Sequence, residues 1–190
     1  MARSKQSQII FSGRSDALVA YLIDAYTNVS QRNPGRTILQ KLCYFAKASG
    51  VPLPFRFEIY HYGPFSQEIF DATERLLLDS AIEDASEDAG QSNYIPGPNL
   101  KLLLDRFSAE INQHKRHLRL VAEMFSPLNA SQMELISTIH YLYKSHREWF
   151  DRAPKKHAVV ASVLEVKGRK FSKEIVEEVY DLLRKAALLS

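Results

Sequence analysis

The feature that most constrains the fold is a helical spacing of apolar residues, which recurs along most of the chain. In the stretch ILQKLCYFAK, four residues follow the i, i+3, i+4, i+7 pattern of a single helix face: Leu39, Leu42, Cys43 and Ala46. The same reasoning predicts about seven helices. They cover 15–29, then start near Ile38, Ser66, Pro98, Ser131, Lys156 and Ser172. The helix from Pro98 is predicted to continue unbroken to Pro127.

Two short regions show the pattern of β structure instead. In FRFEIYHYGPFS, large side chains alternate over 56–62, which predicts one strand that Gly63 and Pro64 end before Ser66 caps a helix. Further on, strands near Ile82 and Tyr94 flank an acidic loop and predict a hairpin. Helix, strand, helix and hairpin in this order predict a mainly α (α+β) fold, with a winged-helix-like core and a small antiparallel β element.

Two helix starts carry the sequence signature of a capping box, in which two side chains bond each other's backbone N–H groups. Thr37 with Gln40 fits this signature at the second helix, and Ser131 with Glu134 fits it at a later one. Both pairs are therefore predicted to lie at helix N-termini.

A chain of 190 residues is long enough to bury a substantial core in one domain. We predict a flexible N-terminal arm over 1–12 and a single domain over 13–190. Within this domain, 13–100 forms the core and 101–190 the C-terminal helical part.

The net charge of +3 conceals an uneven distribution. Residues 1–56 have eight Lys and Arg against two Asp and Glu, residues 57–100 have one against nine, and residues 101–190 have sixteen against eleven. Glu83 and Asp84 lie in the acidic middle segment, which is either a solvated surface or a face that attracts a basic partner. The acidic helix after Ser66 would repel phosphates, which argues against duplex binding through a winged helix.

Three basic stretches leave nucleic-acid binding open as an alternative: HKRHLR, PKKH and KGRKFSK. Catalysis is not expected, because the sequence lacks a phosphate-binding glycine loop and a nucleophile elbow. Cys43, the single cysteine, lies on an apolar helix face and reads as a core residue.

No metal or cofactor is expected either. The histidines at 114, 117, 140 and 146 lack a carboxylate at a signature spacing, and the acidic residues over 79–88 lack the spacing of a calcium loop. Low cysteine use and the absence of a signal-peptide pattern or a membrane-length apolar window lead us to expect a cytoplasmic protein.

The segments LQKLCYFAK and YHYGPFSQEIFDATERLLLDSAIE together resemble the SocA-like antitoxin family, also called Panacea, and within it the bacterial proteins of the YwgA type. The family is similar in having a Leu-Gln-Lys-Leu-x-Tyr-Phe helix, an aromatic strand running into Tyr-Gly-Pro, an amphipathic helix and a hairpin. The resemblance covers 37–83 and extends more weakly to SQMELISTIHYLYKSHREWF, with Trp149 near its end. Where the family usually has a glycine before the hairpin, this chain has Ser80 and Ala81.

This resemblance implies a role in protein binding, because family members neutralise toxins by direct contact or act as adaptors that deliver a toxin to a protease. The residues that match the family motif would form its surface: Gln40, Lys41, Tyr44, Tyr60, His61, Tyr62, Gly63, Pro64 and Phe65. The alternative is that some of these aromatic residues belong to the core and that Gly63-Pro64 only makes a turn.

Overall fold

The computed structural model describes residues 8–88 and 90–189, which form eight α-helices and two antiparallel two-stranded sheets. The helices are α1 Arg14–Ser30, α2 Arg36–Ala48, α3 Gln67–Leu78, α4 Leu100–Arg106, α5 Ser108–Phe125, α6 Ala130–Phe150, α7 Lys156–Lys167 and α8 Lys173–Lys185. The strands are β1 Glu58–Tyr60, β2 Gly63–Phe65, β3 Ile82–Asp84 and β4 Tyr94–Pro96. The predicted mainly α fold with a small β content is confirmed.

These elements group into two compact units. The N-terminal unit comprises residues 8–56 and 66–128, and the C-terminal unit comprises residues 57–65 and 129–189. The division into a core over 13–100 and a C-terminal helical part over 101–190 stays a prediction. The β1–β2 hairpin belongs to the C-terminal unit, although it lies within the sequence of the N-terminal one.

The N-terminal unit is built around α1, whose buried side chains include Leu18, Leu22 and Ile23. α1 and α2 both pack against α5, where the ring of Phe45 stacks on that of Phe125 with centroids 4.2 Å apart. Cys43 is fully buried in α2, and burial raises the pKa of its thiol, so it has the predicted character of a core residue.

The C-terminal unit has its own apolar core between α6, α7 and α8. Its buried members are Leu135, Ile139, Tyr143, Val159, Val160, Val163, Val176, Tyr180, Leu183 and Leu189. On α6 and α8 the buried members recur every three or four residues, at 135, 139 and 143 and at 176, 180 and 183, as on one helix face. Ile175 and Leu182 have the apolar spacing of α8 but are 45% and 55% exposed, and Leu189 follows that helix.

The strand pairing differs from that of a winged helix. β1 turns back at His61 and Tyr62 and pairs with β2, with Ile59 opposite Pro64, whereas β3 pairs with β4 in a separate sheet. Gly63 and Pro64 thus form a second strand, and the prediction that they end a single strand is wrong. The helices α1 to α3 and the β3–β4 hairpin follow the predicted order, but β1 does not join that hairpin.

Several helix boundaries also differ from the predictions. The helix predicted from Pro98 to Pro127 is divided into α4 and α5 at Phe107, whose φ of −110° and ψ of 27° are not helical. The capping box of α6 is formed by Asn129 and Gln132 instead of Ser131 and Glu134. α2 starts at Arg36 after Gly35, so the predicted Thr37–Gln40 box does not form.

Part of the predicted N-terminal arm is held in place. The backbone N–H groups of Ile10 and Ser12 donate to the Asp79 carboxylate at 2.9 and 2.7 Å, and that of Phe11 donates to both of its oxygens. Residues 1–7 of the arm lie outside the described residues. Residues 8–12 are therefore part of the folded N-terminal unit.

Candidate functional site

The β1–β2 hairpin presents three ring-bearing side chains at its turn. Tyr60 and Tyr62 are each 59% exposed, and His61 between them is exposed as well. The ring of Tyr60 packs edge-on against His61, with centroids 4.5 Å apart, and tilts against Phe65 at 5.7 Å. The hairpin turn is thus an exposed aromatic surface in which the ring of Tyr60 contacts those of its neighbours.

The hairpin is fixed to α6 by a close backbone approach at Gly63. This glycine has a φ of +85°, in the left-handed region that disfavours other residues. A Cβ atom there would lie 2.7 Å from Thr138 Oγ1 and 3.4 Å from the Glu134 carbonyl oxygen. At the start of the hairpin, the Tyr141 hydroxyl donates to the Phe57 carbonyl at 3.1 Å.

A buried ion pair stands behind the turn. Lys167 Nζ lies 3.0 Å from Glu134 Oε1, and both side chains are only 2% exposed. The same ammonium donates to the His61 carbonyl at 2.9 Å, so it links α6 and α7 to the hairpin turn. Burial lowers the pKa of Lys167, and Glu134 partly opposes this effect. A buried charge without a partner destabilises the fold. The turn is therefore most stable in the position where Lys167 contacts both Glu134 and the His61 carbonyl.

A second lysine connects the ion pair with the exposed rings. Lys170 Nζ lies 2.6 Å from Glu134 Oε2, and its side chain is 40% exposed. Its ammonium also lies over the ring of Tyr62, 5.1 Å from the centroid, and over that of Phe171 at 5.7 Å. These are cation–π distances, so Lys170 contributes to the orientation of Tyr62.

Of the motif residues expected to form the family surface, only part is exposed. Tyr60, His61 and Tyr62 face solvent, and Phe65 is partly buried. The remaining five are buried: Gln40, Lys41, Tyr44, Gly63 and Pro64. In this structure they support the fold and contribute little to its surface.

Gln40 shows why a polar motif residue can be internal. Its Oε1 accepts the backbone N–H of Ser66 and its Nε2 donates to the Ser66 carbonyl, both at 2.9 Å. The side chain therefore pairs with the backbone just before α3, in the manner of a neighbouring strand. This satisfies two buried polar groups at the N-cap of α3.

Glu83 and Asp84, the other two predicted contact residues, are exposed on β3 in the N-terminal unit. Asp84 also has a structural role. Its Oδ1 accepts the backbone N–H groups of Ser86 at 3.0 Å and Asn93 at 2.8 Å. Burial acts to raise its pKa, but these bonds outweigh that effect and lower it.

Sequence reasoning missed Glu134, Lys167 and Lys170 as parts of this site. Glu134 was assigned to a capping box, and the two lysines were considered only as phosphate contacts within a basic stretch. The sequence does place Lys167 and Lys170 on either side of Gly168, the residue that ends α7 with a φ of +56°. This spacing brings the two ammonium groups to the same end of α7. Their shared partner becomes visible only when α6 and α7 pack together.

The exposed cations of α5 form another surface, in the N-terminal unit. Lys115, Arg116 and Arg119 line a shallow depression of about 450 Å³ together with Asn112, Leu120 and Glu123. Arg119 also pairs with Glu123 at 3.6 Å. This face carries more positive than negative charge, as the HKRHLR stretch predicted.

No cluster of three or more potential metal ligands occurs over residues 8–88 and 90–189. Of the histidines considered as ligands, His140 is buried, and burial together with the charge of Lys144 lowers its pKa to about 4. His146 contacts the Ser162 hydroxyl at 3.0 Å. Among the same described residues, none of the helices has the length and apolar character needed to cross a membrane.

The hairpin turn thus combines exposed rings with a buried ion pair that holds its backbone. Neither the models of known protein families nor the curated proteins match this chain.

Proposed function

We propose that the protein is a non-enzymatic protein-interaction module of the SocA/Panacea type. In this role it binds and neutralises a toxin, or acts as a proteolytic adaptor. The observation that carries the proposal is the exposed turn of Tyr60, His61 and Tyr62, held against α6 and α7 by the buried Glu134–Lys167 pair.

The physical argument rests on the entropy of binding. Tyrosine rings supply large contact areas with few rotatable bonds, and residues of this type dominate the energetics of many protein interfaces. Here the backbone of the turn is held by Lys167, and Tyr62 is further restrained by Lys170. A surface ordered before binding loses less freedom when a partner docks, which favours affinity.

The family resemblance supplies a second argument. Ser80 stands near the position where the family usually has a glycine, and it adopts a φ of +53°. This is the left-handed conformation that glycine adopts without strain. The turn before β3 is therefore compatible with the family pattern despite the different residue.

The test is capture of partners by the tagged full chain in its native cell, followed by mass spectrometry, with Tyr60→Ala and Tyr62→Ala variants. Leu182→Ala is a matched control, because Leu182 is 55% exposed on α8 of the same unit. We expect one stoichiometric protein partner, retained by the control and lost by the tyrosine variants at unchanged melting temperature. Capture that is insensitive to both tyrosines would contradict the proposed site.

A second candidate function, a nucleic-acid-binding regulator, is favoured by the basic face of α5. Phosphate contacts release condensed counterions, so such binding weakens steeply as salt rises. Arg116→Ala and Arg119→Ala should then reduce the salt dependence of binding to a labelled duplex, whereas Tyr62→Ala should leave it unchanged. Equal binding by wild type and both arginine variants would exclude this face.

A further inference from the structure

The buried ion pair next to the hairpin turn is part of a group of three charges with an excess of one positive charge. One carboxylate, Glu134, lies between two ammonium groups, Lys167 and Lys170. Glu134 and Lys167 are 2% exposed, whereas the Lys170 side chain is 40% exposed. The excess positive charge of this group therefore reaches solvent at Lys170, directly beside the exposed ring of Tyr62.

Further cations follow along the chain at this end of α7. The segment 166–173 has four basic residues and no acidic one. Arg169 is exposed and makes no ion pair within the described part of the chain. Lys173 pairs with Glu177 at 3.6 Å, but its side chain is 64% exposed, and exposed pairs of this kind are weak.

We propose that the turn of the β1–β2 hairpin, with Arg169, Lys170 and Lys173, binds an acidic segment of a partner protein. This inference rests on the proposed function and adds to it the chemical class of the partner. Arginine pairs with carboxylates through two parallel hydrogen bonds, and lysine contributes a mobile point charge. The tyrosines supply contact area beside these charges.

The ring contacts favour a peptide over a nucleic-acid strand. Stacking of a base requires an open aromatic face. The ring of Tyr62 already has the Lys170 ammonium over it, and the ring of Tyr60 already packs against His61 and Phe65. A carboxylate needs only the cations and the ring edges, which carry partial positive charge.

The test measures binding of the full chain to three fluorescein-labelled probes: a glutamate-rich peptide, the same peptide with Gln in place of Glu, and a single-stranded oligonucleotide. We expect the Glu peptide to bind about tenfold more tightly than the Gln peptide at low salt. Arg169→Glu and Lys173→Glu should each remove most of this preference.

Lys185→Glu is the matched control, because Lys185 lies on the same helix as Lys173 and about 18 Å further along it. It makes the same change in net charge and should leave binding within about twofold of wild type. Equal losses for Lys173→Glu and Lys185→Glu would overturn the proposal, since only total charge would then matter. Equal affinity for the Glu and Gln peptides, or tighter binding of the oligonucleotide, would also overturn it.

The proposed function and this inference fail in different ways. If a captured partner depends on Tyr62 but binds the Arg169→Glu variant normally, the acidic specificity is wrong and the interaction module stands. If no protein partner depends on the tyrosines, the proposed function falls, whatever the peptides show.

Discussion

In the C-terminal unit, both the backbone conformation and the packing at position 63 require glycine. Its φ of +85° and its distance from Thr138 leave no space for a side chain. Glycine satisfies both requirements, so the hairpin can lie directly on α6. The sequence motif Tyr-Gly-Pro therefore has a physical reason in this chain that is independent of any partner.

We predict that Gly63→Ala lowers the free energy of unfolding by about 1–3 kcal/mol, because a strained φ adds to a steric overlap. Urea denaturation measures the change. Gly50→Ala is the control: Gly50 has a similar φ of +97° with nothing within 4 Å, so it reports the backbone strain alone. Equal losses for the two variants would show that the approach to Thr138 costs nothing.

The buried pair of Glu134 and Lys167 gives a second prediction at the scale of residues. Lys167→Met removes a buried charge while leaving Glu134 with Lys170 alone, and we expect a loss of about 3 kcal/mol in unfolding free energy. Adding Glu134→Gln should recover part of that loss, because the buried carboxylate that lost Lys167 is then neutral and the remaining cation, Lys170, is 40% exposed. Thermal and urea unfolding of the two single variants and the double variant form the required cycle.

At the scale of elements, two neighbouring acidic residues of the β3–β4 hairpin have different roles. The Asp84 carboxylate holds the loop through the N–H groups of Ser86 and Asn93. Glu83 pairs with Ile95 through the sheet, but its side chain has no hydrogen bond or ion pair among the described residues. We predict that Asp84→Lys speeds amide exchange at Ser86 and Asn93, while Glu83→Lys leaves both rates unchanged. Glu83→Lys is therefore the better variant for testing whether the acidic segment attracts a basic partner.

The segment 8–12 is a second element whose position depends on one carboxylate. Burial raises the pKa of Asp79, but the N–H donors of Ile10, Phe11 and Ser12 together outweigh it, so the pKa lies below its ordinary value. A carboxyl group whose pKa is lowered by folding stabilises the fold fully above its unfolded pKa of about 4. That stabilisation is lost as pH falls through the folded value.

We therefore predict that residues 8–12 stay attached from neutral pH down to about 4 and detach at lower pH. An acid titration followed by NMR of the Ile10 and Ser12 amides measures this. In Asp79→Asn the same amides should already be shifted at neutral pH, and their positions should no longer follow this titration. Unchanged amide positions in that variant would contradict the assigned role of Asp79.

At the scale of the whole molecule, the two units are interleaved in sequence. The C-terminal unit takes its hairpin from residues 57–65, so residues 129–190 alone lack the carbonyl of His61 that Lys167 bonds. The single domain predicted over 13–190 remains a prediction. One cooperative unfolding transition would support it, and two separate transitions would contradict it.

We predict that a fragment of residues 129–190 melts at a lower temperature than the same fragment with residues 57–65 fused through a Gly-Ser linker. The hairpin restores the partner of Lys167 and covers α6 at Gly63. Circular dichroism during heating measures the melting temperatures of the two fragments. A fused fragment carrying Gly63→Ala serves as the control, and a full stabilisation by it would show that docking at α6 is not required.

The sequence by itself determined most of the elements of this protein. Apolar spacing placed most of the helices, and Ser66 and Ser172 occupy the predicted N-cap positions, because these signals depend on residues within one or two turns. The Ser172 hydroxyl accepts the Ile175 N–H as a cap, whereas the Ser66 hydroxyl donates to Glu68 and does not cap α3. Local signals did not identify the break at Phe107. They also did not show that His61 and Tyr62 form a turn between two paired strands.

Only the tertiary structure decided which motif residues face solvent. Gln40 and Lys41 are polar, yet they are buried, while the apolar-rich turn of Tyr60 and Tyr62 is exposed. Polarity alone does not fix exposure, because a buried polar group is stable once its partners are supplied by distant segments. Glu134 and Lys167 are 33 positions apart in sequence, and their contact exists only where α6 packs beside α7.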